Sequence, residues 1–300
     1  MIDFGMIAEL IAKGVPIAAA PNDYVAPEIS PDGTKVALTV TSLTKSNIWT
    51  LDLVRETLTR LTFDDASDSP LWTPDGKRIV FASGGTGRYA LYWKAADGTG
   101  DDEKLSSELV AQMPWSWSRD GKMLLLTGIA EGGEPKEYIG TLSMEGDHNR
   151  RPLLQEKHRE LYPRISPDGR WMAYVSDESG KAEVYVRPFP DVNKGKWQVS
   201  TNGGGDPLWA PDGRELFYRN GDSVMAIAVP TETTFILGKT EALFQGKYDD
   251  TWAISHDGKR FMMIKPYAST GAAATAAGPR KIILVANWFE ELKQRVPTGK

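Results

Sequence analysis

The chain has no cysteine. Thiolate catalysis, disulfides and cysteine-ligated zinc are therefore excluded, and the redox compartment leaves no mark on the composition. Histidine is scarce, with only His148, His158 and His256. Zinc hydrolases bring two or three imidazoles together, so this supply argues against a zinc centre. No apolar run reaches the length of a membrane span. Positive charge is not in excess: the net charge is −5. That balance disfavours nucleic acid and does nothing to attract an anionic membrane. The N-terminal stretch MIDFGMIAELIAKGVPIAAA lacks a basic leader, and Glu9 and Lys13 interrupt its apolar part. It does not read as an export signal, and the compartment stays open. There is also no Gly-x-Ser-x-Gly elbow of the kind that carries a hydrolase serine.

What is present is a repeat. PLWTPDG at 70–76 returns as PLWAPDG at 207–213. Related phrases place Asp-Gly pairs at Asp32, Asp75, Asp120, Asp168, Asp212 and Asp257, at intervals of 43, 45, 48, 44 and 45 residues. Each phrase reads as a hairpin. Apolar or small residues alternate before the turn, and β-branched or aromatic residues follow it. Proline presets φ at the first central turn position, aspartate suits the second, and glycine accepts a positive φ as the next strand begins. Two more strand-like segments follow in each unit, such as NIWTLD (47–52) then TLTRLT (57–62), and EVYVRPF (183–189) then KWQVST (196–201). The sixth unit lacks a fourth strand, and the unused strand-like segment is 14–21.

Four strands per 40–45 residues is the period of a propeller blade. The expectation is an all-β, six-bladed β-propeller with four antiparallel strands per blade. Its last blade is closed by the N-terminal strand 14–21, which leaves no unpaired edge at the seam. The blades are expected at about 22–62, 63–107, 108–155, 156–201, 202–245, and 246–287 with 14–21, in a single domain over 1–300. A pair of β-sandwiches would account for the strand count but not for the constant phase. Residues 267–279, rich in alanine and glycine, read as a rim loop. In the tail 288–300, Trp288, Phe289 and Leu292 have helical spacing.

The phrases resemble the TolB-type, WD-like propeller repeat of bacterial proteins, with its Ser-Pro-Asp-Gly-Arg/Lys motif, over residues 14–297. Longer stretches, including LTRLTFD (58–64), SDESGKAEVYVRPFP (176–190) and NWFEELKQRVP (287–297), resemble the C-terminal propeller of large bacterial proteins. The N-terminal part of those proteins is often a serine/threonine kinase followed by a membrane span. The resemblance implies a sensor or protein-binding module, extracytoplasmic if the chain is a fragment of a membrane-anchored relative. The chain has no glycine-rich nucleotide loop, His-Arg-Asp or Asp-Phe-Gly, so kinase activity is not implied. Propellers of similar repeat precede the catalytic domain of prolyl-oligopeptidase-like enzymes, and here only a few residues follow the sixth unit.

The propeller phase sorts the polar residues. The repeated aspartates fall on the turn rim, where a carboxylate bonds nearby backbone N–H groups and fixes the hairpin. Trp72, Trp117 and Trp209 share one repeat position and read as core between blades, not as a ligand cage. The opposite rim is less repetitive. The ligand-binding candidates there are Asp23, Asp68, Gln112, His158, Glu160, Asp206, Asp249 and Asp250, with Asp64, Asp65, Glu131, Glu134, Glu137, Asp177, Glu178 and Asp222 nearby. Arg88, Arg159 and Lys247 dilute this charge. A negative funnel favours a cationic peptide or protein, or a small cationic ligand. The sequence thus reads as a non-catalytic recognition module, with no cofactor required. The alternative is a divalent-cation-dependent hydrolase of lactones, esters or phosphoesters. It would hold Ca²⁺ or another divalent cation on Asp23, Asp68, Asp206 and Asp249, with His158 as base and Glu160 beside it.

Overall fold

The computed structural model describes residues 15–16, 23–42, 44–85, 87–107, 109–129, 137–229, 235–266 and 280–286. The expected rim loop 267–279, the tail 288–300, and Glu131 and Glu134 lie outside the described residues. Among the described residues the regular structure is β, apart from one 3-10 turn at Val192–Lys194. No helix among them is long and apolar enough to cross a membrane.

The repeated turn builds the sheets. Ser30 Oγ donates to Asp32 Oδ1 at 2.6 Å, which also takes the Thr34 N–H at 3.0 Å. Thr73 and Asp75, Ser118 and Asp120, and Ser166 and Asp168 repeat the hydroxyl bond at 2.6 Å, and Ser255 makes it to Asp257. Ala210 has no hydroxyl, so among the described residues Asp212 takes the Arg214 N–H alone, at 3.0 Å. The glycine that follows needs φ in the left-handed region, +71° at Gly33 and +67° at Gly76, where a β-carbon would be strained. These bonds identify the aspartates as hairpin staples.

A two-residue strand β1 (Val15–Pro16) comes first. The first complete sheet is β2 (Asp23–Ile29), β3 (Lys35–Ser42), β4 (Lys45–Asp52) and β5 (Thr57–Arg60). The second contains β6 (Ser67–Trp72), β7 (Arg78–Gly85), β8 (Arg88–Ala95), β9 (Glu103–Lys104) and β10 (Leu109–Val110). The third is β11 (Met113–Trp117), β12 (Met123–Ile129), β13 (Glu137–Ser143) and β14 (Arg150–Leu154). The fourth is β15 (Glu160–Ile165), β16 (Trp171–Ser176), β17 (Glu183–Pro188) and β18 (Trp197–Gln198). The fifth is β19 (Gly205–Trp209), β20 (Glu215–Asn220), β21 (Ser223–Ala228) and β22 (Thr240–Gln245). The last is β23 (Trp252–Ile254), β24 (Arg260–Pro266) and β25 (Arg280–Ala286), with β1 on its outer edge. Pairing within the sheets is antiparallel.

The expectation of six uniform four-stranded blades is corrected here. Among the described residues four-stranded blades number five, and residues 67–110 form a five-stranded sheet instead. The outer edge of β8 is shared. Glu103–Lys104 pair with Trp93 and Tyr92, whereas Leu109–Val110 pair with Tyr89 and Arg88. The sequence places 109–110 on the way into the third sheet, but they finish the second. The fourth strand expected over 102–107 is only two residues long, and beyond it the Ser106 hydroxyl accepts the Leu91 N–H at 2.9 Å. Of the expected closing strand 14–21, Val15–Pro16 is described. Val15–Pro16 pair with Leu284 and Ile283, and the rest of 14–21 lies outside the described residues.

Sheets pack face to face, and each core cluster joins two neighbours. Trp171, Val175 and Val186 of the fourth sheet meet Trp209, Leu216 and Ile227 of the fifth. Val36 and Leu38 of the first meet Ala253, Met262 and Ile282 of the last. That last contact closes the ring. Fully burying an aliphatic or aromatic side chain contributes about 1.5–3 kcal/mol, so the faces between sheets carry most of the stability. Inner strands touch in the cyclic order β2, β6, β11, β15, β19, β23 and back to β2.

Candidate ligand site in the central channel

The inner strands are stitched together by indoles. Trp72 Nε1 donates to the Glu28 carbonyl at 3.0 Å, Trp117 to Trp72 at 2.7 Å, Trp209 to Arg164 at 2.9 Å and Trp252 to Asp206 at 3.0 Å. Trp72 and Trp209 are buried. The repeated tryptophans therefore join neighbouring sheets twice over, through ring burial and through the N–H.

Each of the inner strands β2, β6, β11, β15 and β19 carries a register shift in its middle. In four of them the shift includes a residue with positive φ: Ala26 at 49°, Ser69 at 55°, Tyr162 at 56° and Asp206 at 47°. Each of these is followed by proline, at Pro27, Pro70, Pro163 and Pro207. Proline disfavours the right-handed helical region for the residue before it. A bulge re-aims a side chain, and these bulges line the channel. Ala26, Ser69, Tyr162 and Asp206 join Thr251, Trp115 and Trp252 around a cavity of about 550 Å³, part of it open to solvent. Left-handed conformation costs a non-glycine residue free energy, and such outliers collect at functional sites.

The cavity is asymmetric. Across it, Arg164 Nη1 reaches Glu28 Oε1 at 3.0 Å and the Trp115 carbonyl at 2.6 Å, with the guanidinium 5.6 Å from the centroid of the Trp115 ring. Trp115 meets Tyr162 edge to face at 4.8 Å. Asp206 stands on the wall beside them. Among the described residues its carboxylate has no hydrogen-bond or ion-pair partner. Burial pushes its pKa up to about 7, and the negative charges of Asp250 and Asp249 add to the shift against Arg164 and Arg219. The Tyr162 hydroxyl is pushed up as well, first by burial and then by Asp206 and Asp250. A desolvated carboxylate among like charges binds a proton or another cation.

The other candidates distribute as follows. Asp249 and Asp250 lie close enough to raise Asp206. Asp68 takes the Thr39 hydroxyl at 2.9 Å and its neighbour's Ser69 N–H at 2.6 Å. Asp23 pairs with Thr41 at the start of β2, and one of its carboxylate oxygens is buried. His158 is partly exposed, with Nδ1 3.8 Å from Asp177 Oδ1. Glu160 is turned away from solvent at 1% exposure, and neither carboxylate oxygen accepts a hydrogen bond. Desolvation pushes it up to about 7, with Glu156 and Asp177 adding repulsion and Arg187 opposing it. Gln112 is fully buried between the second and third sheets. Among the described residues no three histidine, aspartate or glutamate side chains gather to hold a metal ion, and Asp23, Asp68, Asp206 and Asp249 do not form such a group. Tyr162, Trp115, Arg164 and Glu28 were not legible as channel residues. The proline five residues before the turn aspartate was the available signal for the bulge.

A closed ring of antiparallel sheets around a channel lined by inner strands is a β-propeller. Residues 7–151 match the TolB beta propeller domain. The fold is a TolB-type β-propeller. A putative TolB from Agrobacterium tumefaciens superposes with a TM-score of 0.61 at 20% identity, over 76% of this chain and 83% of that one. An oligogalacturonate lyase in complex with manganese gives 0.60 at 12% identity, over 89% of this chain and 90% of that one. At these identities the likeness is one of fold. In sequence, the chain is 27% identical to the uncharacterized peptidase YuxL of Bacillus subtilis, over 53% of this chain and 31% of that protein. The chain spans less than a third of the length of the curated relatives it matches.

Proposed function

We propose that this propeller is a non-catalytic recognition domain that binds a positively charged group of a peptide or protein partner at the channel mouth. The observation that carries the reading is Asp206: a carboxylate on a bulge, without an ion-pair partner among the described residues, set among Asp249, Asp250, Tyr162 and Trp115. An ammonium or guanidinium there would satisfy the carboxylate and lie against aromatic faces, which attract cations. Arg164 does not compete, because Glu28 and the Trp115 carbonyl already engage it. The TolB-type fold supports a binding role. The divalent-cation hydrolase gains no support from the geometry, since His158 faces Asp177 while Glu160 is buried.

The test is calorimetric titration with a lysine- and arginine-rich peptide at low salt. Saturable binding that weakens with salt and drops at least tenfold in Asp206→Asn is expected, since a hydrogen bond to a charged group contributes about 1.5–3 kcal/mol. Equal affinity for wild type and Asp206→Asn would refute the assignment.

A further inference from the structure

Equivalent positions of the six repeats form a ring around the channel cavity. Six residues before the turn aspartates stand Ala26, Ser69, Pro114, Tyr162, Asp206 and Thr251, and all of them line the cavity. The inner strands follow one another as β2, β6, β11, β15, β19 and β23, so Tyr162 and Thr251 flank Asp206. One arc of the ring therefore sets a carboxylate between two hydroxyls, while the remainder carries alanine, serine and proline.

Two residues further along β2 and β15 come Glu28 and Arg164, on strands three places apart in the ring. Their ion pair, at 3.0 Å, spans the channel beneath the ring. A polypeptide cannot thread past it, so the cavity receives a chain end or a side chain. The bonds from Arg164 to Glu28 Oε1 and to the Trp115 carbonyl both leave from Nη1. Its Nε and Nη2 keep donors that no described residue accepts. The Tyr162 hydroxyl has no hydrogen-bond partner among the described residues either. Thr251 Oγ1 accepts the Ala26 N–H at 3.1 Å and retains a second lone pair.

We infer that the group taken up in the channel is the amino terminus of a peptide, its ammonium on Asp206, Tyr162 and Thr251 and its first carbonyl oxygen on the unused donors of Arg164. The inference rests on the cation-binding reading above and narrows it. An ammonium is a compact head with three donors, suited to a carboxylate flanked by hydroxyls. The neutral carbonyl oxygen beside it takes an Arg164 donor without adding negative charge near Asp206, Asp249 and Asp250. A lysine side chain brings the same ammonium but no acceptor close to it. A guanidinium would meet Arg164 already lying over the Trp115 ring, 5.6 Å from its centroid, and like charges repel there. Capture of a terminal amine is an established mode of peptide recognition.

The experiment is calorimetric titration at pH 7 and low salt with four peptide amides of equal length. They are Ala-Ala-Ala with a free amino terminus, the same peptide acetylated, acetyl-Ala-Lys-Ala and acetyl-Ala-Arg-Ala. Expected are saturable binding of the free-terminus peptide, at least a tenfold loss on acetylation, and weaker binding of both capped basic peptides. That ranking is read on the wild-type chain and needs no variant. Asp206→Asn should lose at least tenfold, and Tyr162→Phe and Arg164→Lys, which keep the ring and the charge, roughly three- to tenfold. A capped basic peptide that binds as tightly as the free terminus, with the Asp206→Asn loss intact, overturns this inference and leaves a site for cationic side chains. Wild-type affinity in both Tyr162→Phe and Arg164→Lys overturns it as well. Absence of saturable binding by all four peptides, or affinity unmoved by Asp206→Asn, removes the cation-binding reading and this inference with it.

Discussion

Arg164 and Glu28 meet across the channel at 3.0 Å, although 136 residues separate them in the chain. They sit on strands that never pair, so the ion pair ties one side of the ring to the other. Both side chains are about four-fifths covered, at 19% and 23% exposure. Removing one partner leaves a partly buried charge with fewer neighbours. Glu28→Gln is expected to lower stability by about 1–3 kcal/mol in urea unfolding. Arg164→Met combined with Glu28→Gln should cost less than the sum of the two single changes. Strict additivity would show that the pair is not coupled.

Channel binding should follow the protonation of Asp206. Its folded pKa of about 7 means that near pH 6 the carboxylate is mostly neutral. A cationic ligand prefers the ionised form, so affinity should rise up to about tenfold per pH unit below 7 and level off above it. Asp206→Asn should flatten this profile. A cationic peptide that binds equally at pH 5.5 and pH 8 would count against Asp206 as its partner.

Glu160 predicts the opposite of the usual carboxylate behaviour. Its folded pKa, about 7, lies above its ordinary value of 4.5. The native state therefore holds more protons between those limits, and stability falls as pH rises through that window. Gln112 stands at the equivalent position of the preceding repeat, eight residues before Asp120 as Glu160 is before Asp168. Glu160→Gln should raise stability at pH 8, by up to about 3 kcal/mol, and change little at pH 4.5. Thermal unfolding at both pH values measures this.

The turn aspartates work with the other sign. Hydrogen bonds from Thr73 Oγ and the Lys77 N–H hold Asp75 below the usual carboxylate range. Its contribution is present above that range and is lost as pH falls through the lowered folded value. Asp75→Ala is expected to cost about 1 kcal/mol at pH 7. The same substitution at Asp212, which lacks the hydroxyl donor, should cost less. Chemical denaturation of the two variants side by side gives the comparison.

The indole stitches make a separate prediction. Trp209→Phe keeps the aromatic bulk but removes the 2.9 Å bond to the Arg164 carbonyl, leaving that acceptor unmet in a buried wall. A loss of about 1–3 kcal/mol is expected. In a calorimetric scan, an unchanged melting temperature would mean that ring packing alone joins the fourth and fifth sheets.

The repeat by itself determined the strands, the hairpin turns and the structural role of the turn aspartates, because these rest on local φ preferences and period-2 burial that each 40–45-residue unit repeats. It also fixed the tryptophan position as core. Tertiary structure alone decided how the outer edge of β8 is filled, since edge pairing depends on competition between segments that local pattern does not rank. It decided which rim acids face the channel: a bulge shifts the side-chain alternation by one residue, so Asp206 points into the cavity while Glu160 and Gln112 are buried between sheets. And only the closed ring could bring Arg164 to Glu28, because a contact across 136 residues is set by the geometry of closure and not by any nearby sequence.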